Sequence, residues 1–183
     1  MVRCGVRPAG PATGLTLVEL MVGLALLALL LGLAIPSWQG FLLRRQVDGL
    51  SAQLLSDLHY LRSSTVARNQ TLRLSLHGAN ACYLIHTGNT ADCSCTIATG
   101  GQVDVQCSAG AQVLRGQPMT EGAWQLRGNV TSLAVDPRHG TFSPTGSLDW
   151  SHRSGLSLRH VVNILGRARL CTPSATLPGI SPC

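Results

Sequence analysis

The hydrophobic pattern divides the chain into an apolar run, a striped segment and an alternating remainder. From Leu15 to Ile35 the only clearly polar side chains are Thr16 and Glu19. At 1.5 Å per helical residue this run spans roughly 30 Å, the thickness of a bilayer's hydrocarbon core. Its Leu, Ala, Val and Met favour helix as well as lipid. A carboxylate inside such a run is costly and marks a functional position, so Glu19 needs a partner, and none lies within the run. Past Pro36 the pattern changes. Val47, Leu50, Leu54, Leu58 and Leu61 recur at spacings of three and four, the stripe of a helix with one apolar face. Arg44 and Asp48, four apart on another face, are placed to pair. The helix is expected to end near Arg68-Asn69.

Beyond it the period falls to two. Thr71 to His77 alternates polar and apolar, a half-buried strand, and Gly78-Ala79-Asn80 is a turn before a second strand from Cys82 to Thr87. The stretch from Gly88 to Gly101, rich in Thr, Gly, Asn and Cys, reads as a cross-linked loop. Short strands follow at 103–107, 112–114, 124–127 and 132–135, then a turn at Asp136-Pro137-Arg138-His139-Gly140. A last pair of strands is expected near 155–165 and 167–171. The tail from Thr172 carries Pro173, Pro178 and Pro182 and excludes regular structure. These elements give class α+β: a long amino-terminal helix packed on antiparallel sheet. The expected organisation is a short basic leader over 1–14, a transmembrane helix over 15–36, an amphipathic continuation over 37–69 and a β-rich head over 70–183.

Composition adds redox and charge. Of seven cysteines, Cys4 lies in the leader, leaving Cys82, Cys93, Cys95, Cys107, Cys171 and Cys183. An even set beyond a membrane anchor fits an oxidising compartment such as the periplasm. Six cysteines allow 15 pairings and sequence does not choose among them; the preferred reading joins Cys171 to Cys183 and pairs the other four among themselves. Zinc at Cys93-Ser94-Cys95 competes, but a one-residue spacer fits zinc poorly, so no metal is expected. All fourteen basic residues are arginine, against eight acids, for a formal net charge of +6. That excess does not by itself establish a nucleic-acid partner.

Gly14-Leu15-Thr16-Leu17-Val18-Glu19 resembles the processing site of type IV prepilins. The resemblance implies that a prepilin peptidase cuts between Gly14 and Leu15 and methylates the new terminus. It implies that Glu19, fifth in the mature chain, meets the terminal amine of a neighbouring pilin subunit during assembly. It also implies a type IV pilin fold, one inner-membrane span with a periplasmic head before assembly, and display in a pilus afterwards. An ordinary signal anchor would explain the hydrophobicity and the basic leader but not the acid.

After Asp149 the chain contains no acid, yet carries Arg153, Arg159, Arg167 and Arg169. In a strand, Arg167 and Arg169 share one face roughly 7 Å apart, about the phosphate spacing of an extended nucleic-acid strand, unless a bulge at Gly166 intervenes. Phe142-Ser143-Pro144-Thr145-Gly146-Ser147, followed by Gly166-Arg167-Ala168-Arg169, resembles the carboxyl-terminal pattern of the FimT/GspH family of minor pilins and pseudopilins. Within that family a Gly-Arg-X-Arg motif is similar to the DNA-contacting motif of FimT proteins that act in natural transformation. The resemblance implies sequence-independent phosphate contacts by Arg167 and Arg169 at Gly166, with Arg153 and Arg159 in the same basic stretch. A solvated strand face, or filament contacts to Asp136 or Asp149 of a neighbour, are the alternatives. His152 and His160 read as surface or packing residues. Trp38, Trp124 and Trp150 read as core or interface anchors, with Trp150 placed to stack on an exposed base. No nucleophile motif, phosphate-binding glycine loop or paired acids are present, so no catalysis and no cofactor are expected. The second functional reading is a GspH-like structural subunit that primes or caps a pilus or a secretion pseudopilus.

Overall fold

A computed structural model describes residues 14, 16–108, 110–173 and 179–183, with the side chains of 33–40 left out. The leader 1–13 and Leu15 lie outside the described residues. The chain divides into two compact units, Met1–Asp48 and Gly49–Cys183.

The first unit consists of the opening of helix α1, which runs from Leu17 to Arg68. Thr16 caps it: the Glu19 backbone N–H donates to Thr16 Oγ1 at 3.3 Å, and Leu20 N–H to the Thr16 carbonyl at 3.1 Å. Glu19 sits in the first turn, where a carboxylate complements the helix dipole. The described aliphatic side chains from Leu17 to Leu31 are exposed. Within the apolar run, side chains are described only over 16–32, and no helix among the described residues is long and apolar enough to cross a membrane. Arg44 and Asp48 do not form the ion pair their spacing suggested. Both are exposed and stay solvated, where such a pair gains little.

In the second unit Leu50, Leu54, Leu58 and Leu61 turn the stripe of α1 into the core. The helix stops at Arg68 because Asn69 takes a left-handed conformation, φ 48°. Gln70 N–H then reaches the Thr65 carbonyl at 3.3 Å and Asn69 N–H the Val66 carbonyl at 3.2 Å, which satisfies the last turn.

Among the described residues twelve strands follow, in antiparallel pairs. One sheet orders β5 (Val113–Pro118), β2 (Cys82–Thr87), β1 (Leu72–His77), β8 (Ser132–Val135) and β9 (Phe142–Ser143). The second orders β12 (Ala168–Cys171), β11 (Ser157–Val162), β10 (Gly146–His152), β7 (Trp124–Gly128) and β6 (Thr120–Glu121). Polar groups tie the helix to both sheets. Asp57 accepts from Tyr83 Oη at 2.7 Å in the first sheet and from the Arg115 guanidinium beside it. Ser51 shares a 2.8 Å hydrogen bond with His160 of the second.

Three expectations are corrected. The cross-linked loop is a hairpin of β3 (Cys93–Ile97) and β4 (Val103–Cys107), with Cys82 bonded to Cys95 and Cys93 to Cys107. Its buried Cys93 and Cys95 supply the apolar phase that its Ser and Thr conceal. Strand β10 was not anticipated, although Leu148 and Trp150 alternate inward with Asp149. Finally, β11 ends at Val162 rather than 165, because Gly166, at φ 72°, closes a turn. The tail is tethered by Cys171–Cys183 and by Thr172 N–H to the Ser181 carbonyl at 2.9 Å.

Candidate nucleic-acid interface

The second sheet buries one face and exposes the other. Leu126, Leu148, Trp150, Leu158, His160 and Val162 point inward. The opposite phase carries the charges. Register sets Arg127 opposite Asp149, Asp149 opposite Arg159, and Val161 opposite Arg169. Directly opposed residues share a face, so Arg127, Asp149, Arg159, Val161 and Arg169 lie on one surface. Sequence reasoning missed Arg127. The signal was present, since Arg127 alternates with inward-facing Trp124 and Leu126.

The arginines differ in what they touch. Arg159 is committed: its Nε donates to Asp149 Oδ1 at 2.8 Å and its Nη2 to Oδ2 at 2.7 Å, a bidentate pair. That carboxylate raises the Arg159 pKa further. Arg159, expected with Arg167 and Arg169 among the DNA-binding residues, is thus tied to an acid of its own sheet. Arg167 and Arg169 are exposed and have no acid partner among the described residues. Arg153 does not join them. It lies in the turn between β10 and β11, while Arg167 follows the turn between β11 and β12. The length of β11, about 20 Å at 3.3 Å per residue, separates the two turns.

The turn that presents Arg167 is built by its own side chains. Asn163 N–H donates to the Arg167 carbonyl at 3.1 Å, and Asn163 Oδ1 accepts from the Arg167 backbone N–H at 2.8 Å. Gly166 N–H reaches the Asn163 carbonyl at 2.9 Å. Phe142 N–H donates to the Ile164 carbonyl at 2.8 Å, so the buried Phe142 of β9 holds the turn. A Cβ at Gly166 would lie 2.4 Å from Phe142 Cε2. Thus Phe142 and Gly166, whose motifs stand far apart in sequence, are in contact, and only glycine fits. Arg167 leaves the turn's last position rather than a strand, which corrects the simple two-residue repeat.

The remaining candidates separate cleanly. Trp150 and Trp124 are buried, so Trp150 presents no ring to a base. The His152 ring packs tilted against Trp124, with centroids 4.8 Å apart, and shares a 2.7 Å hydrogen bond with Ser154. His160 is buried, and desolvation pushes its pKa down to about 4. Cys93 and Cys95 are in separate disulfides, and no cluster of metal-ligating side chains occurs among the described residues.

A family model described as type II transport protein GspH matches residues 50–166. The chain belongs to the GspH family. It is therefore a minor pilin or pseudopilin of the GspH/FimT kind, a class whose members associate with other pilin subunits. The match covers Phe142 and Gly166 and stops just before Arg167. Two solved structures resemble this GspH-family chain. One is the type IV minor pilin FimU of Pseudomonas aeruginosa, at 15% identity and TM-score 0.47, covering 71% of this chain and 94% of FimU. The other is the minor pseudopilin EpsH of the Vibrio cholerae type 2 secretion system, at 17% and 0.46, covering 68% and 95%. No curated protein matches it in sequence.

Proposed function

We propose that this GspH-family subunit is a FimT-like minor type IV pilin that holds DNA during natural transformation. One observation carries the reading. Arg167 and Arg169 are exposed and unpaired by acid among the described residues, the first at the end of the turn packed on Phe142 and the second in strand β12 just after it. Guanidinium forks suit phosphate oxygens and stay charged at any working pH. Contacts limited to phosphate give sequence-independent, salt-sensitive binding. Several weak sites along a filament, or along one DNA, raise avidity without new contacts. Chemistry on DNA is not part of the proposal; the subunit binds and is not an enzyme.

The amino terminus supplies assembly. A prepilin peptidase cuts after Gly14 and methylates Leu15, the 15–36 segment anchors the subunit in the inner membrane, and Glu19 recruits it into the filament. Intact-mass analysis of membrane-extracted protein then finds residues 1–14 missing and one methyl group added. A retained leader refutes that part.

A second reading is structural, a GspH-like subunit that primes or caps a pilus or secretion pseudopilus. It is favoured by the Asp149–Arg159 pair, in which a carboxylate satisfies an arginine of this very face, as a neighbour's acid would satisfy Arg167. Cells carrying Arg167→Ala/Arg169→Ala separate the two. Pili retained with transformation lost supports DNA capture; transformation unchanged, or pili lost, removes it.

A further inference from the structure

From Gly49 onward, four large apolar side chains stand out as exposed among the described residues: Val66 at 51%, Val161 at 41%, Ile164 at 56% and Leu165 at 50%. Three belong to β11 and the turn after it, and the fourth is tied to the same end of the head. Arg62 Nη1 donates to the Leu165 carbonyl at 3.0 Å, and a Cβ at Gly140 would lie 3.2 Å from Arg62 Nε and 3.5 Å from Val66 Cγ2. Arginines lie on the segments that form this apolar end. Arg62 is hydrogen-bonded to the Leu165 carbonyl, Arg138 belongs to the turn that contains Gly140, Arg167 follows Leu165 by two residues and Arg169 lies opposite Val161. Two acids lie near it: Asp136 is occupied by the backbone N–H groups of Arg138 and His139 at 2.9 and 2.8 Å, and Asp149, on the face of Val161, is held by Arg159.

A partner that fits must offer negative charge and apolar surface side by side. Duplex DNA offers the charge, but stacking covers its base faces. An unpaired strand offers phosphates with open base faces alongside them. An anionic bilayer also offers both. However, membrane-interface anchors use amphipathic helices or exposed Trp, Tyr and Phe. Trp124, Trp150 and Phe142 of the head are buried. The tip is moreover continuous with Arg167 and Arg169.

We propose that Ile164 and Leu165 pack against unpaired bases while the surrounding arginines hold the flanking phosphates, so that the site selects single-stranded over duplex DNA. This rests on the DNA reading above and names the form of DNA that reading takes.

The test uses full-length protein in neutral detergent, titrated against labelled single-stranded and duplex oligonucleotides of equal length at two salt concentrations. Wild type is expected to bind the single strand about tenfold more tightly, at the low end for a base contact because aliphatic groups replace an aromatic ring. Ile164→Ser/Leu165→Ser is expected to erase that preference and leave duplex binding unchanged, which also reports an intact fold. Ile164→Met/Leu165→Met is expected to keep it. Equal binding of both forms by wild type, or a preference that survives the serine variant, overturns the inference and leaves duplex capture standing. Absence of binding to either form removes the DNA reading itself. Binding to anionic phosphatidylserine vesicles that the serine variant loses, without a single-strand preference, reassigns the tip to a lipid surface and overturns the inference.

Discussion

Two hairpins of the head reach order by different means. The β3–β4 hairpin carries few large apolar residues. Two disulfides enter it, and its buried core is Cys82, Leu84, Cys93 and Cys95 with Ile97, Val103, Val105, Ala111 and Val113 packed around them. The β11–β12 hairpin has a single disulfide at its far end, Cys171–Cys183. Its order comes from the buried Leu158, His160 and Val162 of β11 and from Phe142 lodged against Gly166. Cross-links raise stability chiefly by restricting the unfolded chain, whereas packing fixes where side chains point. The arginine pair sits on the packed hairpin, where direction matters.

The largest expected effect comes from cutting the cross-linked hairpin loose. Cys82→Ser/Cys95→Ser opens a loop whose ends are 13 residues apart, at about 3 kcal/mol. Hydrogen exchange should show β3–β4 lost first while β10–β12 stay protected. Equal loss in both hairpins would mean that they fold as one unit and that the contrast is wrong.

Next comes the packed hairpin. Gly166→Ala meets a left-handed backbone at φ 72° and a contact of 2.4 Å with Phe142. Left-handed geometry costs about 1–2 kcal/mol and overpacking about 1–3, so a loss of at least about 2 kcal/mol should appear in urea unfolding. DNA affinity should fall with it, although no cation is removed. An alanine variant as stable as wild type would show that Phe142 does not set the turn.

Acid should weaken the packed hairpin as well. His160 has its folded pKa lowered to about 4 by burial, against 6.5 when unfolded. Below pH 6.5 the unfolded chain takes up a proton that the folded chain refuses. Stability is therefore full above about pH 6.5 and declines as pH falls toward 4, by at most about 1.4 kcal/mol per pH unit from this group. The buried His86 and the half-buried His77 are shifted the same way by desolvation, which adds to the decline. Unfolding midpoints at pH 7, 5.5 and 4.5 measure it, and His160→Gln should flatten the slope.

The smallest effect on stability is the most informative about charge. Asp149→Asn breaks an ion pair that is partly exposed and should cost under about 1 kcal/mol. It frees Arg159 beside Arg169, so DNA affinity should rise and the salt dependence should steepen by about one phosphate contact. Unchanged affinity would place the DNA path away from this face.

Local patterns were legible where one residue type dominated a period. The leucine stripe of α1 and the alternation in β1 could each be read from the element alone, and Asn69 marks the end of the helix. The sequence was opaque where order is non-local or where a residue stands in for another type. Cys93 and Cys95 fill apolar positions only once their bonds are formed, which hid β3. Strand β10 was obscured by Pro144 and Gly146 at its start, although its Leu148–Asp149–Trp150 alternation was readable. At the candidate site, the basic bias after Asp149 was visible in the chain. That Asp149 takes Arg159 out of play, and that Arg127 shares the face, depends on strand register. The two motifs around Phe142 and Gly166 could be read singly; that they touch could not.

The most direct test of DNA capture is the affinity of wild type and Arg167→Ala/Arg169→Ala for a duplex oligonucleotide between 50 and 200 mM salt. The account predicts affinity that falls steeply with salt in wild type and, in the double variant, weaker binding with a log–log slope shallower by about 2. Identical affinity and slope in the two proteins would contradict it.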